Sequence, residues 1–106
     1  MSPAERLVAL LESDSILAAR VEGDALAAEV GGDLARRWYI AVIRAVMVAP
    51  PDGDTVRELY GELVDRYREQ PDHLAVLRAL GDEIRALEAS GKLPSTLVAR
   101  SERRKH

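Results

Sequence analysis

The chain has no cysteine. That excludes a disulfide framework, a thiolate-held zinc site and a thiol nucleophile. Phenylalanine is absent as well, and one tryptophan and three tyrosines supply all the aromatic surface. Two histidines, one of them at position 106, are too few ligands for a histidine-based metal centre. No run of about 18 apolar residues occurs, so no membrane span is expected. Met1 to Leu11 carry Glu5 beside Arg6 and lack a basic leader region and a cleavage site. A signal peptide is therefore not expected, and the cytoplasm is the expected location. No stretch alternates cleanly between apolar and polar residues, which leaves little room for a sheet.

What is present favours helices. Of 106 residues, 16 are alanine and 14 leucine, both strong helix formers. Apolar residues make up 47% and charged residues 31%, the balance of a globular domain, and the length allows one domain and hardly two. Charge is unevenly placed. Residues 1–31 are net −4, 32–51 net +2, 52–90 net −5 and 91–106 net +4, within a total of −3. An acidic body with a basic tail is not the footprint of a nucleic-acid-binding fold, which carries its basic face on the fold itself.

Ser2-Pro3-Ala4-Glu5 opens a first helix that runs to about Leu11, with Ser2 as cap and Glu5 completing a capping box. Ser13-Asp14-Ser15 precedes a second segment, Ile16 to Val21, which Gly23 is expected to stop. Asp24 can then cap a short third helix to Val30, and Gly31-Gly32 is a break. Asp33 caps a fourth helix, Leu34 to Val48, that ends before Pro50-Pro51. Thr55-Val56-Arg57-Glu58 reads as a second capping box for a fifth helix to about Gln70. Asp72 caps a sixth to Ser90, with Gly91 as its C-terminal cap. The expectation is an all-α, compact bundle of five or six helices over residues 1–94. A short turn at Ser95–Ala99 and a frayed basic C-terminal tail complete the chain over residues 95–106.

Helical periodicity sorts the faces. In the fifth helix Val56, Leu59, Tyr60, Leu63 and Tyr67 fall on one side, and Glu58, Glu62, Asp65 and Glu69 on the other. In the sixth, Val76, Leu77, Leu80, Ile84 and Leu87 form a stripe. The fourth helix is apolar nearly all round. Leu34, Trp38, Ala41, Val42 and Ala45 make one face; Ile40, Ile43 and Met47 lie on the far side, flanked by Arg36, Arg37 and Arg44. Such a helix is central in its bundle. Ile40, Ile43 and Met47 are either covered by the N-terminal helices or form an exposed strip bordered by arginine, which would be a partner site.

No chemistry-bearing constellation emerges. Di-metal bundles need carboxylates pointing inward with Glu-x-x-His pairs, and the row Glu58, Glu62, Asp65, Glu69 faces away from the apolar side, as a solvated face does. Arg66, four residues after Glu62, can add an ion pair of about 0.3–0.5 kcal/mol. His73 reads as a first-turn residue bonded locally. Ser13, Ser15, Ser90 and Ser95 lack a nucleophile-elbow context and read as caps. Gly31-Gly32 has no Gly-Lys-Ser/Thr after it and is no phosphate loop.

Six helices of this size around a central tryptophan helix resemble death-fold domains. More narrowly, Trp38-Tyr39-Ile40-Ala41-Val42-Ile43-Arg44-Ala45, then Val56-Arg57-Glu58-Leu59-Tyr60, Val64-Asp65-Arg66-Tyr67 and Leu74, resemble bacterial effector-associated domains. Those are death-like adaptors of conflict and anti-phage systems. The resemblance covers residues 34–77. The chain departs from the pattern where Arg68-Glu69-Gln70 separate Tyr67 from Pro71, and where the usual phenylalanine before the tryptophan is missing. The resemblance implies homotypic or heterotypic association through charged patches. Here those are the carboxylates of the fifth helix and Arg36, Arg37 and Arg44.

The functional expectation is a non-catalytic protein–protein interaction module without cofactor or metal, with a weak homo-oligomer among its states. Nucleic acid is not an expected partner. A small regulator of antitoxin or transcription-factor type, using its basic tail on nucleic acid, is the alternative. The basic tail (Arg100, Arg103, Arg104 and Lys105) could also meet the acidic fifth helix of a neighbouring copy.

Overall fold

The computed structural model describes residues 1–48 and 51–93. Among these residues there are five α-helices and no strand: α1 Pro3–Leu11, α2 Arg20–Val30, α3 Gly32–Val48, α4 Gly53–Arg66 and α5 Pro71–Ala89. The all-α expectation is met. Backbone proximity groups the chain into two units, Met1–Ala45 and Val46–His106, with the border inside α3. The expected turn at 95–99 and the tail lie outside the described residues.

In the first unit, α1 starts as its sequence dictates. The Glu5 amide donates to Ser2 Oγ at 3.2 Å, and the Ser2 hydroxyl donates to Glu5 Oε1 at 3.0 Å. Residues 16–19 form a turn, not the short helix expected from Ile16 to Val21, and α2 then runs through Gly23 in one piece. Gly23 is no stop. It is buried in the helix, and a Cβ added there would overlap the indole ring of Trp38. The glycine is the seat of an aromatic ring, and a helix interior tolerates it despite its entropy cost. Asp24 is not a cap either. Its Oδ1 accepts from the indole Nε1–H of Trp38 at 2.9 Å, and its Oδ2 lies 3.7 Å from Arg20. Arg6 and Glu22 join α1 to α2 at 2.6 Å, with both side chains about half exposed. Such a pair adds only tenths of a kcal/mol. The glycine pair behaves as read. Gly31 (φ 68°) ends α2 and Gly32 (φ 63°) begins α3, both in the left-handed region.

On α3, Ala35, Trp38 and Val42 are buried, and so are Ile40 and Ile43 on its far side. The all-round apolar pattern thus corresponds to burial on both sides, the usual fate of such a helix. Trp38 has no exposed surface. Truncating a tryptophan so enclosed costs about 3–5 kcal/mol.

In the second unit, the cap of α4 is Asp52, one turn earlier than the Thr55 box suggests. Asp52 Oδ1 accepts from the Thr55 amide at 3.1 Å, and the Thr55 hydroxyl donates to Asp52 Oδ2 at 2.7 Å. Both residues favour caps. The winner is the one with extended backbone (φ −134°, ψ 94°). α4 ends at Arg66, and residues 67–69 form a turn, so Glu69 lies past the helix. Helix α5 starts on Pro71 itself, in the first-turn position that suits proline, with Gln70 at the cap position that Asp72 was expected to fill. Gly91 (φ 77°) follows the C-cap residue Ser90, as read.

Three ties hold α4 to α5. The Tyr60 hydroxyl donates to the Leu77 carbonyl at 2.8 Å and lies where a Cβ on Gly81 would stand. Arg57 pairs with Glu88. The rings of Tyr67 and His73 are tilted at 48° with centroids 4.5 Å apart. Val56, Leu63, Tyr67, Leu77, Leu80 and Ile84 are buried as the stripes require, whereas Val76 is exposed. His73 is buried beside Tyr67, and its amide donates to the Gln70 carbonyl at 3.0 Å, a local bond as expected for a first-turn residue.

Candidate interaction surface

The outer face of α4 carries acidic side chains and no basic one. Asp52 starts the helix, and Val56, Leu63 and the following Tyr67 are turned inward. Counting 100° per residue, the opposite direction carries Asp54, Glu58, Gly61, Glu62 and Asp65. All five are exposed, and Glu69 is exposed in the turn that follows. Asp65 holds Arg68 at 2.5 Å. Among the described residues, the side chains of Glu58 and Glu62 make no hydrogen bond or ion pair.

Thr55 holds the Asp52 carboxyl below its ordinary value of 3.8. The larger cause is the hydrogen bond from its hydroxyl, followed by the bond from its amide. Both donors favour the ionised form.

The arginines divide. Arg37 and Arg44 are exposed on α3. Arg36 lies against the fold, with its side chain 17% exposed and Asp33 at 3.9 Å. The apolar strip does not exist as a surface. Ile40, Ile43 and Met47 are 8%, 1% and 6% exposed, so these three are corrected from candidate contacts to core residues. Their burial follows from the cost of leaving three large aliphatic groups in water, each about 1.5–3 kcal/mol.

Gly61 is the member of the α4 face that charge counting passes over. A Cβ added there meets nothing within 4 Å, whereas the helical glycines Gly23 and Gly81 each lie under an aromatic ring. The signal in the sequence is a glycine inside a strongly amphipathic helix, where alanine is more favourable. Val21 on α2 and Val48 on α3 are also apolar surface residues, 87% and 73% exposed.

Among the described residues no group of three or more histidine, cysteine, aspartate or glutamate side chains could hold a metal ion, and no helix is long and apolar enough to cross a membrane. No protein-family model, curated protein or solved structure matches the chain.

Proposed function

We propose that the chain is a non-catalytic protein–protein interaction module, an adaptor in a bacterial conflict or anti-phage system. The observation that carries this reading is the outer face of α4, where Glu58, Glu62 and Asp65 are exposed on the side opposite the buried Val56 and Leu63. Exposed Arg37 and Arg44 on α3 supply charge of the other sign. Like charges on one face and opposite charges on another steer association and set its register, which suits homotypic or heterotypic docking. The resemblance of residues 34–77 to bacterial effector-associated domains supports the same class of function.

The test is mass in solution across salt and concentration, by size exclusion with light scattering. It uses the full chain and the Glu58→Lys/Glu62→Lys variant, whose changes are confined to exposed positions. Association at about 50 mM salt that falls away near about 0.5 M, and is lost in the variant, supports the proposal. A monomer under every condition, with capture of host proteins unaffected by the reversal, overturns it.

A further inference from the structure

The start of α4 carries chemistry that needs no partner. Asp52-Gly53 is the one Asp-Gly pair of the chain, and asparagine is absent. We propose that this pair is a modification site: when the first turn of α4 opens, the main chain migrates from the α- to the β-carboxyl of Asp52, and the cap becomes an isoaspartate. The reaction stands apart from the association reading, since it needs neither a second molecule nor the acidic face.

The step balances with water alone. The Gly53 amide nitrogen attacks Asp52 Cγ, so a C–N bond forms and the Cγ–OH bond breaks. The hydroxyl leaves with the amide proton as water, and a five-membered succinimide remains. Water then opens the ring at one of its two carbonyls. Opening at Cγ restores aspartate. Opening at the main-chain carbonyl leaves a chain that runs through Cβ and Cγ, with the free carboxylate on Cα. The mass is unchanged, and nothing is oxidised or reduced.

Two features prepare the pair for this reaction. Gly53 has no Cβ to hinder the approach of its nitrogen. It is also the first residue of α4, a position where the helix offers the N–H no acceptor, so no helical bond ties up the nucleophile. Three features restrain it. Asp52 sits at ψ 94°. Around the Cα–C bond of an L-residue, N and Cβ stand about 120° apart, so ring closure needs ψ near about −120°. In the fold the Gly53 nitrogen is therefore turned away from the Asp52 side chain. Thr55 bonds both carboxyl oxygens, Oδ1 through its amide at 3.1 Å and Oδ2 through its hydroxyl at 2.7 Å. Those bonds favour the ionised carboxyl, which has no hydroxyl to lose. Gly53 itself is buried. All three restraints belong to one helical turn, and a single turn opens at far lower cost than the whole fold. The product has a main chain longer by one atom and a carboxylate arm shorter by one, so the Thr55 amide loses its acceptor and α4 starts later.

The experiment ages the full folded chain at neutral pH over weeks, beside a sample held unfolded in urea. Isoaspartate is located by peptide mapping and counted by enzymatic methyl transfer to its carboxylate. In the folded chain it should accumulate at Asp52 at about a tenth of the urea rate, far above a globally unfolded fraction of about 0.001 or less. Thr55→Val, which removes the hydroxyl donor at nearly constant shape, should raise the rate about fivefold, and Thr55→Ser, which keeps the hydroxyl, should restore it. Asp52→Ser, still a capping residue, should remove the signal. In the converted protein the Thr55 and Val56 amides should exchange with solvent about fivefold faster. No isoaspartate at Asp52 in the folded chain once the urea sample has converted overturns the proposal. So does a folded-to-urea rate ratio equal to the unfolded fraction measured by far-ultraviolet dichroism, because opening of the whole chain then accounts for the reaction.

Discussion

Gly23 on α2 and Gly61 on α4 both interrupt helix interiors, where glycine is about 1 kcal/mol less favourable than alanine. Their surroundings are opposite. Above Gly23 lies the Trp38 indole; above Gly61 no described residue comes within 4 Å. At the first site the missing methyl group makes room for the largest buried side chain. At the second no packing within the described residues accounts for it. One residue type thus marks a contact already made and a contact still available, and only the surroundings tell them apart.

The largest break in that comparison is Gly23→Ala. The added methyl overlaps a fully buried ring that is also bound to Asp24, so Trp38 must shift. Overpacking of this kind outweighs the gain in helix propensity, and a loss of about 2–3 kcal/mol is expected by chemical denaturation. Stability at or above the parent would mean that the ring is not seated there. Gly61→Ala has the opposite sign. With nothing to meet, alanine should raise stability by about 1 kcal/mol, seen as an upward shift in melting temperature. A destabilised Gly61→Ala would show that the site is packed.

Gly81→Ala sits between the two. The methyl group displaces the Tyr60 hydroxyl from the Leu77 carbonyl, and the gain in propensity offsets part of the loss. A net cost of about 0.5 kcal/mol is expected, smaller in a Tyr60→Phe background. Equal costs in both backgrounds would remove the hydroxyl from the account.

The smallest effect concerns the cap of α4. The Asp52 carboxyl titrates lower in the fold than in the unfolded chain. Its stabilisation is therefore present above the unfolded value, 3.8, and is lost as pH falls through the lower folded value. The melting-temperature gap between the parent and Asp52→Ala should be constant above about pH 5 and narrow below about pH 4. A gap that does not change over that range would show that Thr55 does not favour the charged form.

Local rules placed what depends on neighbours along the chain. Ser2, Pro3 and Glu5 fix the start of α1, and the charge period of α4 identifies its outer side. What they misplaced depends on residues far apart in sequence. Gly23 reads as a terminator until Trp38, fifteen residues later, is set on it. Asp24 reads as a cap for the same reason, because its indole partner is not local. Asp52 and Thr55 are both good caps, and a sequence does not rank two such candidates three residues apart. The apolar character of Ile40, Ile43 and Met47 was legible, but whether a given side of a helix is covered depends on the rest of the fold. Of the candidate surface, Glu58, Glu62, Asp65, Arg37 and Arg44 could be read from charge spacing. Gly61 could not, because its meaning lies in what is absent above it.

The placement of the single tryptophan gives the chain an optical reporter. Trp38 belongs to the unit of residues 1–45 and has no exposed surface, with its ring over Gly23 and its indole N–H on Asp24. Its emission therefore reports the surroundings of that ring, Gly23 and Asp24 on α2 among them, while far-ultraviolet dichroism sums the helices of both units. Melting curves from the two signals coincide when the units unfold together and separate when they do not. The protein thus measures its own cooperativity with no dye and no added label.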